Sequence, residues 1–322
     1  MKNFAAIAVF ACVSCSPAAF AADTNYPVKP VRIIVPFPPG GIADVMARVF
    51  AQKFTDSWGQ PAVVDNRTGA GGNIGTEAVA KSPNDGYTLL LGAIGTHAVN
   101  VSLFSKIGYD PVRDFAPIAL ILKSDNLLVV HPSLPVKTVK EMIALAKAKP
   151  GQLTYASAGS GTAGHLAGEL FKLLAKVDIV HIPYKGNVPA ITDLIGGQTS
   201  MTFATLPTVL PQVQSNRLRA IASTGARRNA ALPDTPAVAE TLPGFEVTNW
   251  IAMSAPAGTA PEIVNKVNAE IMRVMRLPDV SSRLAAEGAN FTPNTPAEFA
   301  AFQKAEIAKW ARVIKEAGVR AD

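Results

Sequence analysis

The stretch from Val31 to Asp44 limits most narrowly what this chain can fold into. Val31 to Val35 is an apolar, largely β-branched run, suited to a strand covered on both faces. Pro36, Pro38 and Pro39 carry no amide N–H for a sheet ladder, so the strand ends there. Gly40 and Gly41 let the backbone turn tightly, and Val45, Met46, Val49, Phe50 and Phe54 then recur at helical spacing. The first turn of that helix leaves N–H groups unpaired at the positive end of its dipole. Such a junction can hold an anion without Arg or Lys. Taken alone, the stretch reads first as an ordinary βα turn.

The same design returns in the second half. Leu153 to Ala156 reads as a strand, Ser157 to Thr162 as a small-residue loop, and Ala163 to Leu174 as a helix with Leu166, Leu170, Leu173 and Leu174 on one face. Between and after these, strand-like and helix-like segments alternate, which is the α/β signature. Strands are expected at 61–65, 87–92, 116–122, 127–131, 180–184, 201–204, 218–223 and 250–255. Helices are expected at 74–81, 138–148, 188–195, 261–276 and 296–317, the second opened by a capping box of Thr138 and Glu141.

Met1 to Ala21 has the form of a secretory signal: Lys2, a short apolar run, and Ala19-Phe20-Ala21 before the cut. Both cysteines, Cys12 and Cys15, fall inside it, so the mature chain is expected to have neither disulfide nor thiol chemistry. Lipid attachment at Cys15 is the alternative, weakened because Cys12 stands where the usual Leu would be. The net charge of +6, less Lys2, leaves +5 on the mature chain, scattered without a basic run, which argues against nucleic acid. No other stretch is long and apolar enough to span a bilayer. The product is expected to be exported.

Chemical motifs are few. Gly159-Ser160-Gly161-Thr162-Ala163-Gly164 matches the dinucleotide fingerprint by letter, but the acidic partner fails, since Asp178 precedes its strand. No cofactor is expected. A nucleophilic Ser157 or Ser160, with His165 or His181 as base, is conceivable. The G-x-S-x-G elbow is broken by Tyr155, however, and no motif places an acid. His165 and Glu169 share a helix face, a pair rather than a metal site, and His97 and His131 lie on separate elements. Asp44 could take a ligand hydroxyl or amine, or simply complement the helix dipole. Lys185 could pair with a carboxylate or stand solvated.

Together these stretches resemble a known family. The pieces are Tyr26-Pro27, Lys29-Pro30, Val31 to Gly41 with Asp44 and Ala47-Arg48, Asn66-Arg67 with Gly69 to Gly72, Asp85 to Leu89, and Tyr109-Asp110-Pro111 with Asp114-Phe115. Later come Tyr155 to Ser157, Gly159, Gly161-Thr162 and His165-Leu166, then Tyr184 to Gly186, Pro189-Ala190, Leu218 to Ala220 and Pro233-Asp234 with Pro236. The chain resembles the Bug-type periplasmic receptors of tripartite tricarboxylate transporters. The resemblance implies an α/β, two-lobed periplasmic-binding-protein fold with a ligand cleft between lobes joined by hinge crossovers near Ser124 and Thr248. Residues 1–21 would be the signal, 22–124 with 248–322 the first lobe, and 125–247 the second.

The resemblance also implies a site. Phe37, Gly40, Gly41 and Asp44 would face Ser157, Gly159, Ser160, Gly161, Thr162 and His165, gripping a carboxylate through main-chain amides, hydroxyls and ordered water. Thr96, His97 and Asn100 would open a third junction, and Gly186 and Asn187 a fourth. Family ligands include amino acids, tricarboxylates, dicarboxylates and aromatic acids. No Arg stands at a cleft position, and burying an unpaired second carboxylate is costly, so an aromatic acid or a dicarboxylate is favoured. The expected protein is a monomeric, non-catalytic receptor without metal, delivering its ligand to integral membrane subunits. A secreted serine hydrolase and a ligand-presenting sensor for a membrane histidine kinase are the alternatives.

Overall fold

The structure is a computed structural model and describes residues 25–229, 231–286 and 288–321. The expected signal, with Cys12 and Cys15, lies outside the described residues. Strands and helices alternate from the start. β1 (Val31–Val35) leads to α1 (Ile42–Trp58), β2 (Ala62–Asn66) to α2 (Asn73–Ala80), and β3 (Thr88–Ala93) through a π turn at Gly95–Val99 to α3 (Asn100–Leu103). The long β4 (Phe115–Val130) is followed by α4 (Val139–Ala148), β5 (Thr154–Ser157), α5 (Ala163–Ala175), β6 (Val180–Pro183) and α6 (Asn187–Ile195). Then come β7 (Met201–Thr205), α7 (Leu206–Gln214), β8 (Arg219–Ser223) and β9 (Thr248–Pro256). α8 (Pro261–Met275), α9 (Pro278–Ala286), β10 (Ala289–Asn290) and α10 (Pro296–Ala317) close the chain.

The strands run in the order β2-β1-β3-β9-β4-β7-β5-β6, with β8 and β10 also on β4. β2, β1 and β3 are parallel, as are β6, β5 and β7. β4 joins the two sets. Phe115 to Asp125 pair antiparallel with β9, and Asn126 to Val130 with β7. The molecule is therefore an α/β protein of two lobes sharing one strand, and the carboxyl ends of both parallel sets give rise to loops that meet.

Three local expectations are corrected. The strands expected at 116–122 and 127–131 are one, because the polar stretch between them is paired: Lys123 with Trp250, Ser124 with Asn249 and Asp125 with Thr248. α7 was not expected, since Pro207 and Pro211 discourage a helix. Pro207 sits in the first turn, where its missing N–H costs nothing, and Val209 and Leu206 bury against Leu127 and Val129. Leu174 is 36% exposed and does not share the buried face of Leu166 and Leu170. The Thr138–Glu141 capping box is present, at 3.1 Å in both directions.

One core lies under the first strand set, with Ile33, Phe50, Leu91, Ile251 and Val267. A second spans both lobes, joining Leu103, Leu128, Tyr155, Phe203, Trp250, Phe299 and Trp310. α10 fastens this second core. Glu306 Oε2 accepts from the indole N–H of Trp250 at 2.9 Å and of Trp310 at 3.1 Å. Replacing Glu306 by Ala leaves two buried indole N–H groups without acceptors. The expected loss is about 2–4 kcal/mol, read from the urea midpoint at constant m-value, with Glu306→Gln losing less because its amide oxygen still accepts.

Candidate ligand-binding cleft

The first junction is held open by its own chemistry. Gly40 has φ +88° with open space where a Cβ would stand. Gly41 is the N-cap of α1 and brings no side chain to that helix end. The N–H groups of the first turn thus keep their positive field available to an incoming anion. Asn66 Nδ2 donates to Phe37 O at 3.0 Å, tying the loop down. Asp44, expected at the ligand, is already engaged by protein groups. Its carboxylate is buried, accepts from Gly40 N at 2.9 Å, and holds Arg48 through contacts of 3.1 and 3.0 Å. Burial opposes its ionisation, but the hydrogen bonds from Arg48 and Gly40 hold it below the usual carboxylate range. Asp44 therefore braces the loop.

The second junction is locked from within. Ser157 Oγ lies 3.1 Å from Gly159 N, 3.2 Å from Gly159 O and 2.7 Å from His181 Nε2. Thr162 Oγ1 donates to Gly159 O at 2.7 Å, and Gly161 N donates to His165 Nδ1 at 3.1 Å. His165 thus accepts through Nδ1 and, when neutral, carries its proton on Nε2. His165 stacks on His181 at 4.2 Å, and His181 on Tyr155 at 4.8 Å. Tyr155 OH donates to Glu169 Oε1 at 2.6 Å, and Glu169 pairs with Lys172 at 3.1 Å. The expected direct donors Ser157, Gly159, Gly161 and Thr162 are largely spent on shaping this loop. Ser160 is the exception, with a hydroxyl that makes no hydrogen bond among the described residues.

The remaining expected residues divide. Thr96 is buried, with Oγ1 exchanging bonds with Ala93 N at 3.2 Å and Ala93 O at 3.1 Å. The His97 ring points into the core between Trp250 and Phe299, each 5.9 Å away, and Nε2 meets Ser254 Oγ at 3.1 Å. An apolar slot of that kind was invisible to a reading that placed His97 only by its junction. Asn100 reaches the seam between lobes. Gly186, at φ +114°, has open space around it, and Asn187 Nδ2 donates to Thr205 Oγ1 at 3.3 Å. Thr205, at the carboxyl end of β7, lies beside these loops and was not among the expected site residues, and His181, weighed only as a base, instead braces Ser157. The rule that ligands gather at carboxyl ends of strands pointed to Thr205, but its helix went unrecognised.

The two lobes touch at these junctions. A Cβ on Gly95 would stand 3.1 Å from Gly161 O, and one on Gly71 3.5 Å from Ser160 O. The loops of the two strand sets therefore pack directly against each other where the lobes meet. As a hydrolase the arrangement is poor. Among the described residues no carboxylate hydrogen-bonds His181, and burial, with His165 beside it, lowers His181 to about 3.

Residues 46–319 match the model of the tripartite tricarboxylate transporter family receptor, TctC. The chain belongs to this family. The TctC receptors are solute-binding proteins, not enzymes. The protein is 41% identical over 321 residues to BugT of Bordetella pertussis, covering 99% of this chain and 98% of that one. A solved structure of Rpa4515 from R. palustris with adipate superimposes with a TM-score of 0.87 at 38% identity, over 92% of this chain and 99% of that one. MatC from Rhodopseudomonas palustris with bound malate gives 0.84 at 33%, over 90% and 100%. The periplasmic binding protein BugD gives 0.84 at 34%, over 92% and 99%. These neighbours share the two-lobed binding-protein architecture of this TctC chain.

The histidines of this TctC receptor yield a pH signature. Burial lowers His97 from 6.5 to about 4. Burial, then the Lys172 charge, lowers His165 to about 4 as well. Between pH 6.5 and 4 the unfolded chain therefore binds more protons than the folded one, so stability falls as pH falls. Each such group contributes a slope of up to about 1.4 kcal/mol per pH unit. Urea unfolding at stepped pH should show this loss, and His97→Gln should flatten it by about one proton.

Proposed function

We propose that this protein is a periplasmic receptor that captures a small carboxylate, preferably a dicarboxylate, and delivers it to the membrane subunits of a tripartite transporter. The observation that carries this is the contact between two glycine junctions from opposite strand sets, at Gly95 and Gly161. The first of the acid-binding loops leads into α1, whose N-terminus no side chain caps. An acid group between the loops meets the Gly41 to Ala43 amides on one side and Ser160 on the other. Phe37, Gly40, Gly41, Ser157, Gly159, Ser160, Gly161, Thr162 and His165 form or shape the grip, and Thr96, Gly186 and Asn187 border it. Residues 22–124 with 248–322 make one lobe, 125–247 the other, and ligand draws them together by hinge motion.

The dicarboxylate preference rests on the adipate of Rpa4515 and the malate of MatC. It also rests on charge. Arg48, the cation next to the first junction, is committed to Asp44, so at that loop a second carboxylate is left to hydroxyls and water. Asn187 and Thr205, hydrogen-bonded to each other, offer such a polar end. The receptor acts as a monomer in the periplasm after its signal is removed.

The test is a thermal-shift series on the mature protein with succinate, adipate, malate, benzoate and citrate. A ligand at a hundred times its dissociation constant adds about 2.7 kcal/mol, a rise of several degrees for a chain of this size. Dicarboxylates should raise the midpoint more than benzoate or citrate. No shift with any of the acids would overturn the proposal.

A further inference from the structure

We propose that Asn100 reads a hydroxyl on the carbon beside the ligand's acid group, so that the cleft selects 2-hydroxycarboxylates over their plain counterparts. This rests on the receptor reading above and adds the substituent that the ligand carries.

Asn100 has no exposed surface. Its Nδ2 donates to Gly71 O at 3.1 Å and to Asn73 Oδ1 at 2.7 Å. A backbone carbonyl cannot donate, so the Gly71 contact fixes which end of the amide is which. Reversing the amide would set oxygen against oxygen. Oδ1 must therefore face the other way, toward the second lobe. There it stands 2.7 Å from where a Cβ of Gly161 would be and 3.5 Å from that of Gly95. It is buried and has no hydrogen-bond partner among the described residues.

Three neighbouring donors are committed, and the Ser160 hydroxyl makes no hydrogen bond to it. Gly161 N is bound to His165 Nδ1, Thr96 Oγ1 to Ala93, and Tyr109 OH to Asn73 Oδ1 and Thr96 O. A buried carbonyl oxygen without a donor is penalised, and the lobes that bury it are the ones that close on ligand. Oδ1 is covered while the loops pack together, so the lobes must part for a ligand to reach it, and what then enters between them is placed to supply the missing proton. An ionised carboxylate has none to give, so the donor is a substituent. Gly161 belongs to the loop assigned to the acid group, which puts that substituent on the adjacent carbon. A hydroxyl suits the site better than an ammonium. Asn100 and Asn73 are neutral, and Asp44, the acid of the facing junction, is already paired with Arg48.

Calorimetric titration of the mature protein with succinate against 2-hydroxysuccinate, and adipate against 2-hydroxyadipate, tests this. In each pair the hydroxy acid should bind about 10- to 100-fold tighter. Asn100→Ala should bring each pair to within about threefold. Equal affinities within the pairs on the unaltered protein would overturn the inference while leaving the receptor reading intact. A preference that survives in Asn100→Ala would overturn the assignment to this residue. Aspartate binding tighter than 2-hydroxysuccinate would overturn the choice of hydroxyl over ammonium. Failure of every acid to bind would overturn the receptor reading itself, and this inference with it.

Discussion

The structure depends on bringing bare backbone against bare backbone where its two lobes meet. A side chain at Gly95 would press on the carbonyl of Gly161, and one at Gly161 on the amide of Asn100. Glycine on both sides lets main-chain groups of the two lobes come this close, as the proposed grip on a small acid requires. This makes a charge-neutral grip feasible. An amide N–H at a helix start carries a partial positive charge and needs no counterion of its own. A buried Arg would have to be desolvated whenever the cleft closed.

The surrounding groups keep the facing loops rigid and uncharged. Asp44 and Arg48 neutralise each other beside the first loop, and the hydrogen bond from Gly40 fixes the turn. Behind the second loop, His165, His181 and Tyr155 stack in a row whose histidines burial holds neutral. A neutral His165 can accept from Gly161, whereas a protonated one could not. The same burial that stabilises this geometry near neutral pH makes the fold sensitive to acid. Farther back, α10 packs on both lobes through Trp250, Phe299 and Trp310, so the side away from the junctions is apolar.

Much of this was legible in the residues. The Val31–Gly41 and Tyr155–Thr162 stretches announce strand, glycine loop and helix by local chemistry alone, and the capping box at Thr138 is a purely local device. What escaped depends on partners distant in the chain. β4 is continuous because β9 pairs with its polar middle, a fact no window around Lys123 to Asn126 contains. α7 forms despite Pro211 because Leu206 and Val209 find an apolar surface on β4. The roles of individual side chains were least visible. Asp44 and His97 carry the right chemistry for a ligand, but their partners, Arg48 and the Trp250–Phe299 slot, occupy them.

The central claim is that one acid group is held by both junctions at once. Amide spectra of the 15N-labelled mature protein, titrated with a dicarboxylate that binds, test it most directly. The account predicts that Ile42, Ala43 and Ser160 shift in a single saturable step with one dissociation constant. Saturable shifts confined to one of the two loops would contradict it.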